Sequence, residues 1–218
     1  MKNIIFIAPP AAGKGTQSKL VSEEYNIPHI STGDLLRDEV ASGSVFGKML
    51  KAEMDQGGLI SDDTMVNLLR NRIMQVDCNN GYILDGYPRN IEQARIYDNL
   101  VQELGKDIGT VIVMNIDEDL ILNRSLNRLI CQACGTSYNR EVEDLKPKID
   151  GFCDKCGYTL EVRSDDTKET LMQRIKTYEI QTKPLIEYYK EKNIVKEINI
   201  EKEDSATDIF NKIKSIID

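Results

Sequence analysis

The amino-acid sequence predicts an α/β fold in which a five-stranded parallel sheet is covered by helices on both faces. Two observations support this class. Short, almost continuous apolar runs alternate along the chain with longer stretches of helical period, which is typical of parallel strands joined by crossover helices. The chain also has 218 residues and 40% hydrophobic content, enough for one large domain with a buried core and an inserted module.

Each apolar run is predicted to be a strand, and each stretch of helical period is predicted to be a helix. The five predicted strands are Asn3 to Ile7, Pro28 to Ile30, Tyr82 to Leu84, Thr110 to Ile116 and Ile194 to Ile200. The seven predicted helices are Lys14 to Glu24, Asp34 to Ser42, Asp62 to Val76, Ile91 to Glu103, Glu118 to Leu129, Lys168 to Glu191 and Ala206 to Ile217. Their alternation places the strands in one sheet.

The segment Ala8–Thr16 joins the first predicted strand to the first predicted helix. Gly13 and Gly15 allow the backbone to approach an anion closely, and the N–H groups at the start of the helix point toward phosphate oxygens. Lys14 adds a mobile positive charge, and Thr16 offers a hydroxyl near the metal of a bound nucleotide. These features predict a phosphate-binding loop; the alternative is an ordinary glycine-containing turn.

Charge and hydropathy limit the partners. The formal net charge of -8 argues against attraction to nucleic acid or to an anionic membrane surface. No run approaches the roughly 20 apolar residues of a membrane span, and the N-terminus lacks the pattern of a secretory signal. We therefore expect a cytoplasmic monomer that binds a small, phosphate-rich molecule and has neither nucleic-acid nor membrane partners.

Two Cys-x-x-Cys-Gly segments interrupt the alternating pattern. Cys131 and Cys134 form the first pair, Cys153 and Cys156 form the second, and residues 135–152 separate them. Zinc prefers four such ligands in a tetrahedron, and a Cys-x-x-Cys turn followed by glycine directs two sulfurs to one point. The spacing predicts a structural Zn²⁺ site that supplies folding energy to the segment. A pair of disulfides is the alternative, which a reducing compartment disfavours.

A zinc ribbon can also belong to a nucleic-acid-binding protein, which is the alternative function of a different class. The net charge and the acidic residues around the cysteine pairs weigh against it. A GTPase is a nearer alternative, but no Asn-Lys-x-Asp sequence follows the predicted strands. The fifth cysteine, Cys78, stands apart, and we interpret it as a thiol without a function in the site.

Three further segments complete a pattern with the loop and the cysteine pairs. They are Ser31-Thr-Gly-Asp-Leu-Leu-Arg37, Asp85-Gly-Tyr-Pro-Arg89 with Gln93, and Arg163-Ser-Asp-Asp166 leading to Arg174. In this order and at these spacings the chain resembles the adenylate kinase family, in its bacterial long-lid form that contains zinc. The resemblance extends from Lys2 to the C-terminal helix.

The resemblance implies a P-loop kinase fold and reversible phosphoryl transfer from MgATP to AMP, giving two ADP. Another nucleoside monophosphate kinase, acting on CMP or UMP, is the alternative. The resemblance also implies three parts. A core P-loop domain comprises residues 1–30, 61–127 and 166–218, an inserted helical monophosphate-binding module spans residues 31–60, and a zinc lid whose closure excludes water spans residues 128–165.

The transfer needs no general base, because the phosphate oxygens of a nucleoside monophosphate are already anionic at neutral pH. The enzyme must instead bring two polyanions together and stabilise charge on the transferred group, which suits lysine, arginine and Mg²⁺. This agrees with a sequence that contains one histidine. We interpret that residue, His29, as structural.

The resemblance implies roles for individual residues. Those implied to be catalytic are Lys14, Asp85, Arg89, Arg124, Arg163 and Arg174, with Asp85 holding Mg²⁺ through water. Those implied to bind ATP are Gly13, Lys14, Gly15, Thr16, Arg124, Arg128 and Tyr138. Those implied to bind AMP are Thr32, Arg37, Gly86, Arg89, Gln93, Arg163 and Arg174. Structural alternatives are a helix cap for Asp85, a solvated face for Arg124 and packing for Tyr138.

Two alanines depart from the family pattern, which usually has glycine where Ala8 and Ala11 stand. An alanine forced to positive φ would cost roughly 1–2 kcal/mol. We expect both alanines to keep negative φ with their methyl groups turned away from the phosphates, because residues 13–16 already supply the close approach. The last predicted strand also lacks the Asp-Gly turn that is frequent in the family.

Overall fold

A computed structural model of the chain describes residues 2–55, 61–162 and 167–218. The strands are β1 (Lys2–Ile7), β2 (His29–Ser31), β3 (Gly81–Asp85), β4 (Thr110–Ile116), β5 (Arg128–Cys131), β6 (Ser137–Asn139), β7 (Leu160–Glu161) and β8 (Val195–Ile200). Five of them form a parallel sheet in the order β2-β3-β1-β4-β8, which confirms the predicted sheet. The other three form an antiparallel sheet in the order β6-β5-β7.

The helices lie between these strands. They are α1 (Lys14–Tyr25), α2 (Thr32–Ala41), α3 (Val45–Asp55), α4 (Asp62–Ile73), α5 (Ile91–Glu103), α6 (Glu118–Leu126), α7 (Lys168–Thr177), α8 (Pro184–Lys190) and α9 (Ala206–Ile217). Short 3₁₀-helices occupy Val76–Cys78 and Glu143–Leu145, and a π-helix occupies Tyr178–Thr182. Among these helices none combines the length and the apolar content that crossing a membrane requires.

Both faces of the parallel sheet are buried. In β1, Ile5 and Ile7 belong to one apolar cluster, whereas Ile4 and Phe6 belong to another. Successive side chains of a strand point to opposite faces, so the two clusters lie on opposite sides of the sheet. The first cluster includes Tyr97 of α5, and the second includes residues of α1 and α9. Helices therefore cover both faces, as the sequence predicts.

The predicted helix from Lys168 to Glu191 is wrong as a single element. It is divided into α7, the π-helix and α8. Pro184 has no N–H group to continue the regular α-helical pattern, and the N–H of Lys183 instead donates to the carbonyl of Tyr178 at 2.8 Å, five residues earlier. The proline therefore explains why the helical pattern changes at this point.

Two other predicted helices are too long. The helix predicted to end at Val76 ends at Ile73, and the helix predicted to end at Leu129 ends at Leu126. In the second case Leu129 and Cys131 are buried while their neighbours are half-buried, which is the period of a strand. The burial of these two side chains in the small sheet ends the helix.

The antiparallel sheet has its own small core. Leu129, Cys131, Tyr138 and Cys153 pack together, with Leu160 against them. All strands of this sheet come from the segment between α6 and α7, where the sequence predicts a lid but no strands.

The parallel arrangement brings the carboxyl ends of β1, β2 and β3 to one edge of the sheet. Asp85 at the end of β3 is in register with Phe6 of β1 on one side and with Ser31 of β2 on the other. The chain continues from β3 to β4 across β1, so the strand order reverses at this point. Ligands of open α/β sheets bind at such a reversal, beyond the carboxyl ends of the strands.

Candidate active site

The loop between β1 and α1 lies at this edge. Gly13 precedes α1 with φ 88 and ψ 12, a left-handed conformation that glycine adopts without steric cost. Helix α1 then begins at Lys14, and its N-cap residue, Gly13, has no side chain that could cap the first turn. The N–H groups at the start of a helix that lack an internal partner form a ready site for an anion. The geometry of the loop therefore fits a phosphate group.

The expectation that Ala8 and Ala11 both keep negative φ is wrong for Ala11, whose φ is 59. The N–H of Ala12 donates to the carbonyl of Pro9 at 3.4 Å, so Pro10 and Ala11 occupy the centre of a turn. A turn with proline at its first central position often has positive φ at the second, where glycine is preferred. The strain of this turn therefore falls on the alanine. Ala8 is not left-handed, as expected.

Asp85 connects the loop to the strand ends. Its Oδ1 atom lies 3.0 Å from Nζ of Lys14, and its Oδ2 atom lies 3.1 Å from Nε2 of His29. Burial opposes ionisation of the carboxyl group, but the hydrogen bond with His29 and the charge of Lys14 outweigh it and lower the pKa of Asp85 to about 2. Asp85 is therefore a carboxylate at neutral pH, held at both oxygens.

Arg89 follows the Gly86-Tyr-Pro turn and folds back over it. Its Nε atom donates to the carbonyl of Gly86 at 2.8 Å. Burial lowers the pKa of the Arg89 guanidinium, an effect that the charge of Asp85 opposes and the charge of Arg174 reinforces. Arg89 and Arg174, which lie far apart in sequence, are thus close enough to repel each other. Two neighbouring guanidinium groups are suited to bind a polyanion.

Gly86 has a structural reason to be glycine. Its φ is 87, and a Cβ atom placed there would lie 3.0 Å from Oγ1 of Thr32. Thr32 is buried at the start of α2, and its hydroxyl donates to the carbonyl of Gly86 at 3.2 Å. Thr32 and Gly86, which are both predicted to bind AMP, therefore form one close contact between α2 and the turn after β3.

Gln93 lies in the first turn of α5 with both ends of its amide engaged. The oxygen accepts from the N–H of Arg89 at 2.8 Å, and the nitrogen donates to Oδ1 of Asp62 at 2.8 Å. These contacts orient the amide and leave one N–H and one lone pair for another partner. Arg37, also predicted to bind AMP, is exposed on α2 and forms an ion pair with Asp34.

Arg124 lies at the junction between α6 and the small sheet. Its Nη2 atom donates to the carbonyl of Asp204 at 3.5 Å, and its own carbonyl accepts from the side-chain amide of Asn139. Burial lowers the pKa of Arg124, and the nearby charges of Asp204 and Asp144 raise it. The neighbouring Arg128 begins β5, paired with Asn139 of β6.

The other residues predicted to bind ATP or to act in catalysis occupy different positions. Tyr138 is 7% exposed in the core of the small sheet, where its hydroxyl accepts from the N–H of Asp154 and lies 3.4 Å from Sγ of Cys153. This gives the ring a packing role, and a contact with ATP stays a prediction. Arg163 lies outside the described residues, as do residues 56–60 of the predicted monophosphate-binding module and residues 163–165 of the predicted lid.

Among the described residues, the segment of the small sheet also contacts α1 and α9 of the core. Nζ of Lys19 in α1 donates to the carbonyl of Gly135 at 3.3 Å. The carboxylate of Asp144 accepts from the N–H of Ala206, in the first turn of α9, at 2.7 Å. Lys19 and Asp144, and also Asp62 beside Gln93, could not be assigned to the site from the sequence. None of these residues belongs to a motif, and only their tertiary contacts reveal them.

The two cysteine pairs form one cluster. The Sγ atoms of Cys131, Cys134, Cys153 and Cys156 all lie within 4.8 Å of one another. Two of the separations are 3.4 Å, between Cys131 and Cys156, and 3.6 Å, between Cys134 and Cys153. A tetrahedral zinc site with Zn–S bonds of about 2.3 Å requires sulfurs about 3.8 Å apart. The four sulfurs therefore fit a zinc ion, and all five cysteines of the chain are free thiols rather than disulfides.

The glycine after each cysteine pair explains this arrangement. Gly135 and Gly157 have φ values of 66 and 73. Their N–H groups donate to the carbonyls of Cys131 and Cys153 at 2.9 and 2.8 Å. The two segments thus form the same tight turn, and each turn directs its two sulfurs toward the other pair.

The sheet, the loop at its reversal point and the adjacent cationic side chains define a P-loop nucleotide-binding protein of the kinase type. Comparisons with known proteins give the particular family. Residues 6–194 match the family model described as adenylate kinase. The chain therefore belongs to the adenylate kinase family and is a phosphotransferase.

Individual relatives agree over nearly the whole chain. The chain is 41% identical over 215 residues to an adenylate kinase of Clostridium tetani, covering 99% of this chain and 98% of the relative. It is 42% identical to an adenylate kinase of Thermosipho africanus and 42% identical to one of Archaeoglobus fulgidus, over 99% of this chain and 97% and 98% of those relatives. These similarities leave no large segment of the chain without a counterpart.

Proposed function

We propose that the chain catalyses reversible phosphoryl transfer from MgATP to AMP, giving two ADP. The observation that carries this proposal is the grouping of Lys14, Asp85 and Arg89 at the carboxyl ends of β1 and β3, beside the start of α1. Membership of the adenylate kinase family supports the choice of both nucleotides. No observation favours CMP or UMP as the acceptor.

The donor phosphates bind at the loop. The N–H groups of Gly13, Lys14, Gly15 and Thr16 surround the start of α1, where the backbone offers donors and a positive helix end. Lys14 leaves Asp85 and contacts the β- and γ-phosphates. Arg124, Arg128, Arg163 and Arg174 close around the donor from the lid side, and Tyr138 supports the lid surface over it.

The acceptor binds beside the β3 turn. Arg89 and Arg37 hold the phosphate of AMP, and Arg163 and Arg174 bridge the two nucleotides. Thr32, Gly86 and Gln93 form the surface that receives the adenine. The contacts of Gln93 with Arg89 and Asp62 orient its amide and support it as the residue that recognises the adenine base. An amide can both donate to and accept from an edge of adenine.

The transfer step relies on position and charge. An oxygen of the AMP phosphate attacks the γ-phosphorus of ATP, the bond from that phosphorus to the β–γ bridging oxygen breaks, and ADP leaves. No proton has to be removed, so no general base is required. The guanidinium groups and Lys14 stabilise the charge on the transferred group in a site from which lid closure excludes water.

Adenylate kinases use Mg²⁺ with ATP. The carboxylate of Asp85 fits this requirement, because it is ionised, nearly buried and adjacent to the phosphate-binding loop. We propose that Asp85 holds the ion through coordinated water. When bound, Mg²⁺ would supply positive charge to the donor phosphates.

We propose further that the four-cysteine cluster holds one structural Zn²⁺, with all four positions taken by protein sulfurs. The lid would span residues 128–165 and the monophosphate-binding module residues 31–60, with the remainder of the chain as the core. We also propose that the protein is a cytoplasmic monomer; the cluster of free thiols supports the reducing compartment in this proposal.

A coupled assay of ADP formation tests the proposed function. The purified protein is supplied with MgATP and, separately, AMP, CMP, UMP and GMP. We expect kcat/KM for AMP to exceed that for each other acceptor by at least about 100-fold, because a site that hydrogen-bonds one base leaves polar groups unpaired with another. Faster turnover with CMP or UMP would overturn the assignment of AMP, and no turnover with any acceptor would overturn the kinase.

A further inference from the structure

The single histidine of the chain contacts the carboxylate assigned to Mg²⁺. His29 is the first residue of β2, where it is in register with Ile83 of β3. From there its ring reaches Asp85, with Nε2 3.1 Å from Oδ2. The side chains of His29 and Asp85 are only 17% and 14% exposed. The mechanism described above gives this histidine no role.

The two oxygens of Asp85 are held by partners of different kinds. Oδ1 faces Lys14, whose four-carbon side chain must swing toward the phosphates when ATP binds. Oδ2 faces His29, a short ring anchored in a strand of the sheet. Under the proposed function Lys14 moves to the phosphates, which leaves His29 as the partner that stays beside the carboxylate. Without His29, the carboxylate of Asp85 would have no described side-chain partner after Lys14 has moved, at the stage when the carboxylate must point toward Mg²⁺.

The protonation state of the pair follows from the carboxylate. An ionised carboxylate has no proton to donate, so Nε2 of His29 carries the proton and donates to Oδ2. A side-chain amide can replace such a donor. The amide nitrogen of glutamine reaches about as far along the side chain as Nε2 of histidine, whereas that of asparagine is shorter.

We propose that His29 is a positioning residue that holds Asp85 in the direction required by Mg²⁺ after Lys14 has moved to the phosphates. The proposal rests on the proposed function of Asp85. His29 contacts neither nucleotide nor metal in this account and acts only through the carboxylate. Partners of this kind are general at metal sites, where their removal typically lowers metal affinity or activity by about 10- to 100-fold.

The test compares His29→Leu, His29→Asn and His29→Gln with the wild-type protein. Calorimetry measures the affinity for AMP-PNP, a non-hydrolysable ATP analogue, once with Mg²⁺ and once with EDTA. The ratio of the two affinities is the gain due to Mg²⁺. We expect the leucine and asparagine variants to lose about 10-fold of this gain while their affinity in EDTA stays within twofold of wild type. The glutamine variant should recover most of the gain.

Each other outcome overturns the proposal. Equal losses with Mg²⁺ and with EDTA would show that His29 only maintains the fold, as would a leucine and an asparagine variant that both fail to fold. A glutamine variant as poor as the leucine variant would show that the hydrogen bond is not the cause. A full Mg²⁺ gain in all variants would show that Asp85 needs no support.

The wild-type protein separates this proposal from the proposed function. ADP formation by a wild-type enzyme that shows no Mg²⁺ gain in AMP-PNP affinity would keep the kinase and overturn the role of His29. Absence of ADP formation together with a Mg²⁺ gain that His29→Leu removes would overturn the kinase and keep the positioning role.

Discussion

Nζ of Lys14 lies 3.0 Å from Oδ1 of Asp85, so the first residue of α1 and the last residue of β3 form an ion pair. The two side chains are 25% and 14% exposed, and the pair therefore lies largely out of water. Under the proposed function, a phosphate group that binds Lys14 would exchange one anionic partner of the lysine for another. The same movement would release Oδ1 of Asp85 for coordinated water and so couple nucleotide binding to the exposure of the carboxylate.

Replacing the loop lysine should abolish most of the activity. We expect Lys14→Met to lower kcat by a factor of about 100 or more, because a charge that acts on phosphate in a water-excluding site is worth several kcal/mol. Steady-state kinetics measures the loss, and circular dichroism checks that the fold persists. Lys196→Met, at an exposed position of β8, is the matched control and should retain activity. Near-normal turnover in Lys14→Met would contradict its role.

Arg89 should be as important for the use of AMP as Lys14 is for the use of ATP. Because its guanidinium lies close to that of Arg174 beside the ends of the strands, Arg89→Ala should lower kcat/KM for AMP by about 100-fold or more, the cost of a lost charged partner in such a site. The exposed Arg95 of α5 offers a matched control as Arg95→Ala, which should behave as wild type. A loss confined to the KM for ATP would instead assign Arg89 to the donor.

Gln93→Leu should selectively weaken the interaction of the enzyme with AMP. The substitution removes the amide that Arg89 and Asp62 orient, so we expect the KM for AMP to rise about tenfold and the KM for ATP to change by less than twofold. Asp62→Ala, which removes only the orienting contact, should change the KM for AMP in the same direction by a smaller factor. Equal changes in both Michaelis constants would refute base reading by Gln93.

The two loop alanines should respond in opposite ways to glycine. At Ala8, glycine should lower the free energy of unfolding by about 0.4–1 kcal/mol, because it adds freedom to the unfolded chain. At Ala11, whose φ is 59, the relief of about 1–2 kcal/mol of strain offsets that loss, so stability should stay level or rise by up to about 1.6 kcal/mol. Urea unfolding measures both, and an equal fall in the two variants would argue against strain at Ala11.

The cysteine cluster predicts the metal content. Elemental analysis of protein purified without chelator should find about one zinc per chain. Cys153→Ser should lose the metal and make residues 128–162 more sensitive to proteolysis, because the small core of this segment includes Cys153 itself. Cys78→Ala, outside the cluster, should retain the metal. Iron would be a lesser departure, since four thiolates accept either ion; four freely titratable thiols would refute the site.

Asp85 predicts a dependence of stability on pH. Its pKa in the folded protein is about 2, below the ordinary value of 3.8, so its contribution is present above about pH 4 and is lost as the pH falls toward 2. The difference in free energy of unfolding between wild type and Asp85→Asn should therefore shrink by about 2 kcal/mol over that interval. Urea unfolding at several pH values, without nucleotide and with EDTA, measures it. A difference that grows on acidification would contradict the depressed pKa.

Local signals were sufficient for much of the fold. Three strands of the parallel sheet, β1, β3 and β4, are mainly apolar runs between turn residues, and α5 and α9 begin and end where their capping and period predict. The phosphate loop and the cysteine pairs were equally visible, because each needs particular residues at fixed short spacings. Where a helix predicted from the sequence was wrong, the cause was a competing interaction. Pro184 divides a helical pattern, and burial of Leu129 and Cys131 converts the end of another into a strand.

The sequence by itself thus determined the class of sheet, the predicted phosphate-binding loop and the four thiols that converge. Only the tertiary structure decided that Asp85 joins Lys14 and His29, that Arg89 lies near Arg174, and that Ala11 takes positive φ. The physical reason is distance along the chain. A turn or a strand depends on neighbours in sequence, whereas an ion pair or a hydrogen bond between distant residues exists only after the sheet register has set their separation in space.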